Sequence, residues 1–476
     1  MIIPLVFIVI NILTALLVIP QNLETFYLVF KSVFYQSKKE KQADLSENTD
    51  YPLVSIQLPV YNEGRNVIDL LATVSRINYP RNRLEILVLD DSDDETSKII
   101  EDEISKLIDK GFSRIDICRR SSRSGHKAGN LQNGLQNTEA PYIAVFDADF
   151  RPADSFLNST MPLLVKRPSL AAVQANWSSY NENDSILTRF LAQGVRHNFA
   201  MKKGRQQLGA KLMINGSAFV LRKSTLEELG SWETDTLTED LDLSIRLQES
   251  GYKIAYVENE VCPQQLVATL PAFSRQQQRW TKGYSQCLRK HWKSALKDHH
   301  LMFLLTLYMM SVLAIINVTS LCLAVLTGGG EILFDPRVSP YLIVIYGLVS
   351  TSLGLNYLSY VLANARSLKQ AIESVFLVFV MAIVGLGIGF RLAIKNVTGL
   401  FFKGGSFDRT IKAGQIEKQP LKMPFFTEII LLALYSGTVV VLWSDYGIAS
   451  AGIISYLLLF MAGTLAYLYS AIKSLF

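Results

Sequence analysis

Two aspartates bracket one alanine at the end of an apolar run, YIAVFDADF, Tyr142 to Phe150. On a β-strand, residues two apart share a face, so the carboxylates of Asp147 and Asp149 would converge on one point. Paired carboxylate oxygens suit a hard divalent cation such as Mg²⁺ or Mn²⁺, which commonly also binds phosphates. A DAD at a strand end is as readily a plain turn, so the doublet gains weight only from its company. LPVYNEG ends one apolar run with Tyr61 and Glu63, and VLDDSDD ends the next with Asp90 and Asp91. Capping of the following helix is the simpler role for Asp93 and Asp94, and a poorer one for Asp90.

Three further stretches add charge of the right kinds. In SGHKAGNLQNGL, His126 and Lys127 stand at a glycine-flanked helix start, where amides and an ammonium make an anion site; a solvated loop is the plainer alternative. DTLTEDLDLSIRLQESGY reads as a helix from about Thr238, with Glu239 and Asp242 complementing its dipole and Asp240 available as a general base. RQQQRWTKGY sets Gln276 beside Arg279 and Trp280 at helical spacings of three and four. That offers a cation to a diphosphate and an indole to a sugar ring, or simply an interfacial helix with a tryptophan belt.

The elements that must position these residues alternate. LVSIQLPV, a helix after Glu63, LEILVLDDS, a helix from Glu95, RIDICRR, a helix from Ala128 and YIAVFDAD follow in order. Strands and helices in this order build a parallel sheet that binds ligands at the carboxyl ends of its strands, where Asp90, Asp91, Asp147 and Asp149 all fall.

Around this polar block, from about Lys38 to His300, the 476-residue chain is apolar enough to raise its hydrophobic content to 49%. Ile2 to Phe30 carries one charge, Glu24, and five apolar segments follow Leu301. Most reach the ~20 residues that cross ~30 Å of hydrocarbon, so an integral multi-pass membrane protein is expected. The first segment lacks a basic lead and a small-residue cleavage site, which makes it an anchor rather than a signal. The four cysteines are scattered without a CxxC pair, which fits a reducing compartment and argues against zinc. The net charge of +5 fits loops at an anionic membrane and gives no reason to invoke nucleic acid. Lys38, Lys39 and Lys41, and the basic run from Lys395 to Lys422, are both expected on the cytoplasmic side. An even number of crossings must separate them, yet three apolar segments intervene. The third, uncharged only from Val375 to Phe390, is laid in the inner interface. The expected organisation is an anchor at 1–35, a cytosolic α/β domain at 36–270, an interfacial region at 271–300 and a helical membrane region at 301–476. The last contains an interfacial helix at 371–393 and a loop at 394–424. Five crossings result, with an outside N-terminus, and a six-span count stays open.

Taken together, these residues resemble the membrane-embedded members of glycosyltransferase family 2, among them cellulose, hyaluronan and chitin synthases and the cellulose-synthase-like glucomannan synthases. The pattern of a first aspartate, DxD, TED and QxxRW stands here as Asp90 or Asp91, Asp147 to Asp149, Thr238 to Asp240 and Gln276 to Trp280. INGSAFVLR is similar to the acceptor-side segment, with Asn215, Gly216 and Ser217 in matching positions, and SFDRTIK resembles a gating loop through Phe407, Thr410 and Lys412. Arginine stands there in place of valine.

The resemblance implies a Rossmann-like GT-A fold, with a mostly parallel sheet, beside a transmembrane helical bundle. It implies inverting transfer from a UDP- or GDP-sugar, with Mg²⁺ or Mn²⁺ at Asp147 and Asp149. The donor would be held by Tyr61, Glu63, Asp90, Asp91, Lys127, Asp147, Gln276 and Arg279, and the acceptor by Asn215, Gly216, Ser217, Glu239 and Trp280. Asp240 would be the base. The acceptor is a growing β-linked glycan exported through the plasma membrane or, as the alternative, a membrane lipid such as ceramide or diacylglycerol. A transporter or scaffold with an inactive transferase domain is a third reading, disfavoured because Glu373 and Arg391 lie at segment ends and the motif set is intact.

Overall fold

The computed structural model describes residues 2–35, 51–405 and 425–473. Seven strands form one sheet: β1 (Val54–Val60), β2 (Leu84–Asp90), β3 (Ile115–Arg119), β4 (Tyr142–Val145), β5 (Leu170–Ser179), β6 (Phe219–Arg222) and β7 (Lys253–Gln264). Their order is β3-β2-β1-β4-β6-β5-β7. The first four are mutually parallel, as the alternation predicts, while β6 runs antiparallel between β4 and β5. β1 and β2 are almost wholly buried because helices cover both faces, the reason such strands read as continuous apolar runs. Those helices are α2 (Asn66–Val74), α3 (Thr96–Asp109), α4 (His126–Gln136), α5 (Phe156–Lys166), α6 (Ile186–Leu208), α7 (Lys223–Glu228) and α8 (Glu239–Glu249). One face packs Ile56, Leu58 and Val88 against Leu70 and Ile100, and the other packs Leu87 and Ile143 against Leu131 and Leu243.

Two helices lead out of the sheet domain, α9 (Leu270–Lys297) and α10 (His299–Thr306). The apolar helices are α1 (Ile2–Phe34), α11 (Met309–Ala324), the short α12 (Glu331–Phe334), α13 (Ser339–Asn364), α14 (Leu368–Phe401), α15 (Phe425–Tyr446) and α16 (Ala451–Lys473). Five segments of the described residues are long and apolar enough to cross a membrane: 6–34, 312–329, 339–364, 368–401 and 426–473. The last is an antiparallel hairpin of α15 and α16, in which the Tyr435 and Phe460 rings lie 5.8 Å apart and Ser450 donates to the Leu442 carbonyl at 3.0 Å.

The helix expected over 371–393 is longer than read and takes in the first residues expected as loop. Ser367 accepts from the Gln370 amide to cap its start. Its far end continues because Asn396 and Gly399 are buried against α9; a Cβ on Gly399 would fall 2.6 Å from the Lys282 carbonyl oxygen. Ala272 and Phe273 of α9 share an apolar cluster with Val384, Ile388 and Leu392 of α14. The first helix is likewise joined to the sheet domain. Gly204 of α6 meets α1 so closely that a Cβ would fall 2.2 Å from the Leu28 carbonyl oxygen, and Glu24 accepts from Arg205 at 3.1 Å.

Candidate active site

The strand β4 stops at Val145, so Asp147 and Asp149 lie beyond it, and the pleat does not align them as the sequence reading supposed. The reason lies in the neighbouring strand. β6 pairs with β4 only from Tyr142↔Arg222 to Val145↔Phe219, and the preceding Ala218 turns away at φ 55°. Beyond that point a turn takes over, closed by the Phe150 amide on the Asp147 carbonyl at 3.0 Å, and the Asp149 carbonyl accepts from Gln265 at 3.1 Å. The turn still leaves the two carboxylates within each other's field. Burial and the charge of Asp149 push the Asp147 carboxyl up, against the pull of Lys127.

Lys127 is the hub of the site. Its helix α4 starts at His126, two residues before the expected Ala128, after Gly125 in the left-handed region at φ 72°. The ammonium lies 2.5 Å from Asp147 Oδ1, donates to the Gly216 carbonyl at 2.7 Å and stands 3.7 Å from Glu239 Oε1. Burial lowers its proton affinity, but Asp147, Glu239 and Asp240 outweigh that and hold the pKa above the usual lysine value. Gly216, at φ 72°, is where the groups meet. A Cβ there would lie 3.2 Å from Asp240 Oδ2 and 3.6 Å from Lys127 Nζ, so any side chain would intrude between them.

The segment that carries Gly216 is held by a residue the sequence reading missed. Gln174 of β5, buried within LAAVQANW, accepts from the Asn215 amide at 2.7 Å and donates to the carbonyls of Ser217 and Ala218 at 3.0 Å each. Trp177 adds a bond to the Ser217 carbonyl at 3.2 Å, and Ser217 Oγ accepts from the Asp147 amide at 3.0 Å. A glutamine inside an otherwise apolar strand was the available signal, since a buried amide needs partners.

Asp240 sits in the first turn of α8, which starts one residue after Thr238 as expected. Burial and the neighbouring Glu239 raise its carboxyl well above the ordinary range, against Lys127. Ser244 donates to the Asp240 carbonyl at 2.6 Å and accepts from the Ile214 amide at 3.0 Å, tying α8 to the acceptor-side segment. Gln276, Arg279 and Trp280 lie half-buried on α9. Burial lowers the Arg279 pKa while Glu239, Asp147, Asp240 and Asp149 all act to raise it, which places this guanidinium in the field of the DAD and TED carboxylates. Gly283 lets α9 approach α8: a Cβ there would fall 2.5 Å from Thr238 Cγ2.

A second acidic group, Glu233, Asp235 and Asp242, has its carboxylate oxygens close enough for a metal ion. Lys290 of α9 already lies among them, at 2.5, 2.9 and 2.8 Å respectively. Asp242 also takes Arg246 at 2.8 Å and lies 2.8 Å from His291 Nε2, so the group serves as the ionic seam between α8 and α9. The dipole role expected of Asp242 is secondary to this.

At the outer strand ends, Asp90 is buried and saturated by Arg119 Nε at 2.9 Å, Ser97 Oγ at 2.7 Å and the Ser92 amide at 3.0 Å. Asp91 receives two bonds from Arg120, at 2.7 and 2.6 Å. Asp94 accepts from the Thr96 amide as a cap would, whereas Asp93 pairs with Asn62. Tyr61 lies under the guanidinium of Arg123, and the Glu63 carbonyl accepts the Asn66 amide at 3.2 Å.

A cavity of about 210 Å³ is lined by His126, Lys127, Leu237 and Glu239 and by Gly404 and Gly405, which follow α14. Gln286 donates to the Gly404 carbonyl at 2.7 Å, and His126 Nε2 lies 3.2 Å from the Gly405 oxygen. The chain thus leaves α14 at the rim of the site. Phe407, Thr410 and Lys412 lie outside the described residues.

Residues 142–392 match the model of glycosyl transferase family group 2. The chain belongs to this family. Glucomannan 4-beta-mannosyltransferase 7 of Arabidopsis thaliana is 36% identical over 251 residues, 51% of this chain and 44% of that protein. Probable glucomannan 4-beta-mannosyltransferase 3 of Oryza sativa subsp. japonica is 37% identical over 246 residues, 50% of this chain and 44% of that protein. The chain spans about half the length of the curated relatives it matches. Among solved structures, the mannosyltransferase PcManGT from Pyrobaculum calidifontis, described in complex with GDP-Man and Mn²⁺, superposes with a TM-score of 0.51 at 18% identity, covering 74% of this chain and 98% of its own. The family-2 chain therefore combines a GT-A-like, mostly parallel sheet with long apolar helices able to cross a membrane.

Proposed function

We propose that this family-2 protein is an inverting hexosyltransferase that moves a sugar from a nucleoside-diphosphate donor to a growing β-linked polysaccharide and passes the chain outward. The observation that carries this reading is the meeting of Lys127 and Asp240 at Gly216, a site to which Asp147 and Glu239 also reach. An anion-binding ammonium and a carboxylate of raised proton affinity then face one small volume from two sides. In the reaction, the acceptor hydroxyl oxygen bonds to the anomeric carbon as the bond to the diphosphate breaks. The diphosphate departs with the electron pair and the hydroxyl proton passes to Asp240, which is why one base suffices.

Asp147 and Asp149 fit a hard divalent cation, since they offer only carboxylate oxygens, and Asp149 lies near enough to Asp147 to raise its pKa. Mg²⁺ or Mn²⁺ held by these residues would neutralise charge on the departing diphosphate. Lys127, Arg279 and Gln276 grip the diphosphate. Tyr61, Glu63, Asp90 and Asp91 form the nucleoside side; Asp90 and Asp91 act through the arginines they orient. Asn215, Gly216, Ser217, Glu239 and Trp280 face the acceptor.

The similarity to glucomannan mannosyltransferases, and the complex of PcManGT with GDP-Man, favour a GDP-linked mannosyl donor over a UDP-sugar. The sheet domain is placed in the cytosol, at the plasma membrane. We keep α14 in the inner interface, where it packs against α9. Protein reconstituted with Mn²⁺ and radiolabelled GDP-mannose, UDP-glucose or UDP-N-acetylglucosamine should retain label at the origin of a chromatogram with one of the donors. Organic-soluble label would replace the polymer with a glycosylated membrane lipid, and no release of nucleoside diphosphate from any donor would defeat the reading.

A further inference from the structure

We propose that Arg123 reads the base of the donor nucleotide and favours guanine over uracil, an inference that rests on the nucleotide-sugar reading above. Three arginines stand at or just after the end of β3, and two are committed. Arg119 is held by Asp90 and Arg120 by both oxygens of Asp91. Arg123 has no carboxylate partner among the described residues. Its guanidinium lies over the ring of Tyr61, with Cζ 3.2 Å from the centroid, and its Nε–H is buried without an acceptor.

A cation resting on an aromatic face is weakly held, and a donor buried without an acceptor is costly, so this pose is one that an incoming acceptor would relieve. The Arg123 carbonyl accepts from the His126 amide at 3.0 Å, so Arg123 sits in the turn that leads into α4, four residues before Lys127. Lys127 is engaged by Asp147 and Gly216 at the diphosphate end. Arg123 instead lies at the Tyr61 end, where a base stacked against the phenol ring would present its edge.

The chemistry of that edge separates the candidates. Guanine shows two acceptors side by side, O6 and N7, and a guanidinium fork meets both at once. Uracil shows O4 beside a ring N–H, so the same fork gains one bond and opposes a donor. A lysine at this position would supply charge without the fork.

Affinities of GDP and of UDP for the full-length protein in detergent with Mn²⁺ test this, measured for the wild type, Arg123→Met, Arg123→Lys and Tyr61→Ala. The wild type is expected to bind GDP more tightly. Arg123→Met should lose about 5- to 150-fold in GDP affinity, the range of one bidentate base contact, with UDP changed less than about threefold. Arg123→Lys should recover little of the loss, and Tyr61→Ala should weaken both nucleotides alike. Equal losses for GDP and UDP in Arg123→Met, no loss for either, or a wild-type preference for UDP would each overturn the role of Arg123 alone. Binding of neither nucleotide by the wild type would overturn this inference and the nucleotide-sugar reading together.

Discussion

A carboxylate that must take a proton from a sugar hydroxyl works best when its own proton affinity is raised, and Asp240 owes that to burial and to Glu239 beside it. Asp240→Asn keeps the shape and removes the proposed base. It should lower kcat by about 10² to 10⁴ while the KM for the donor stays within a few-fold, as steady-state release of nucleoside diphosphate would report. A comparable rise in donor KM would instead make Asp240 a binding group. Lys127→Met should act the other way round, through affinity for the diphosphate, because its ammonium is the cation nearest Asp147. At this scale most of the candidate site is legible in the sequence. Lys127, Asp147, Glu239, Asp240 and Arg279 announce themselves by charge placed where a buried sheet edge would not spend it. The reason given for Asp147 and Asp149 was wrong, because strand length depends on where the partner strand turns away, and Ala218 is more than seventy residues from the run it terminates. Gln174 escaped for a related reason: its partners are backbone groups of a distant loop, which one sequence does not display.

The seam between α8 and α9 sets how Asp240 stands relative to Arg279, and it is ionic. Burial alone would raise the Asp242 carboxyl, but His291, Lys290 and Arg246 pull it down to about 2. A carboxylate whose folded-state pKa lies below its unfolded value of about 3.9 contributes stability that is complete above about pH 4 and is lost as pH falls toward 2. Asp242→Asn should therefore be less stable than the wild type at pH 7 by about 2 to 3 kcal/mol, with the gap closing between about pH 4 and pH 2. Unfolding midpoints in detergent across that range would show it, and a gap independent of pH would rule out the ionic account. Gly283 tests the same seam sterically. Gly283→Val must push Thr238 away, an overpacking cost of about 1 to 3 kcal/mol. Since Asp240 is two residues on, kcat should fall in a protein that still folds and binds nucleotide. The sequence disclosed these elements unevenly. Four parallel strands and both helices followed from hydrophobic runs and turn residues, whereas β6, only four residues long, offers no period to read. The far end of α14 is expected as loop because Lys395 opens a run of basic residues that reads as a cytoplasmic loop. Its burial on α9 sustains the helix instead.

Across the whole molecule, polar contacts among the described residues tie the sheet domain to the apolar helices at several points, such as Arg205 with Glu24, Arg196 with Asn364 and His197 with Ser359, and one ion pair between the apolar helices themselves is not expected from the sequence. Arg391 does not end its segment. It lies ten residues before the end of α14, with its guanidinium 2.6 Å from Glu428 Oε1 of α15 and 4.9 Å from the ring of Tyr467 of α16. Glu428 is 2% exposed, and Tyr467 reaches Ser274 of α9, so one ion pair links three apolar helices to the helix that carries Arg279. A buried pair gives little net stability against apolar residues of the same size, yet leaving one member alone strands a charge, at about 3 to 5 kcal/mol. Arg391→Leu and Glu428→Leu should each lower the thermal midpoint sharply in detergent, and the double substitution should recover most of the loss. If the two losses simply add, the residues are not coupled. If they cancel as expected, activity separates two roles. A double variant that regains stability but still releases less nucleoside diphosphate than the wild type would show that the pair orients α9 toward the site. Full recovery of both would confine it to holding the helices together.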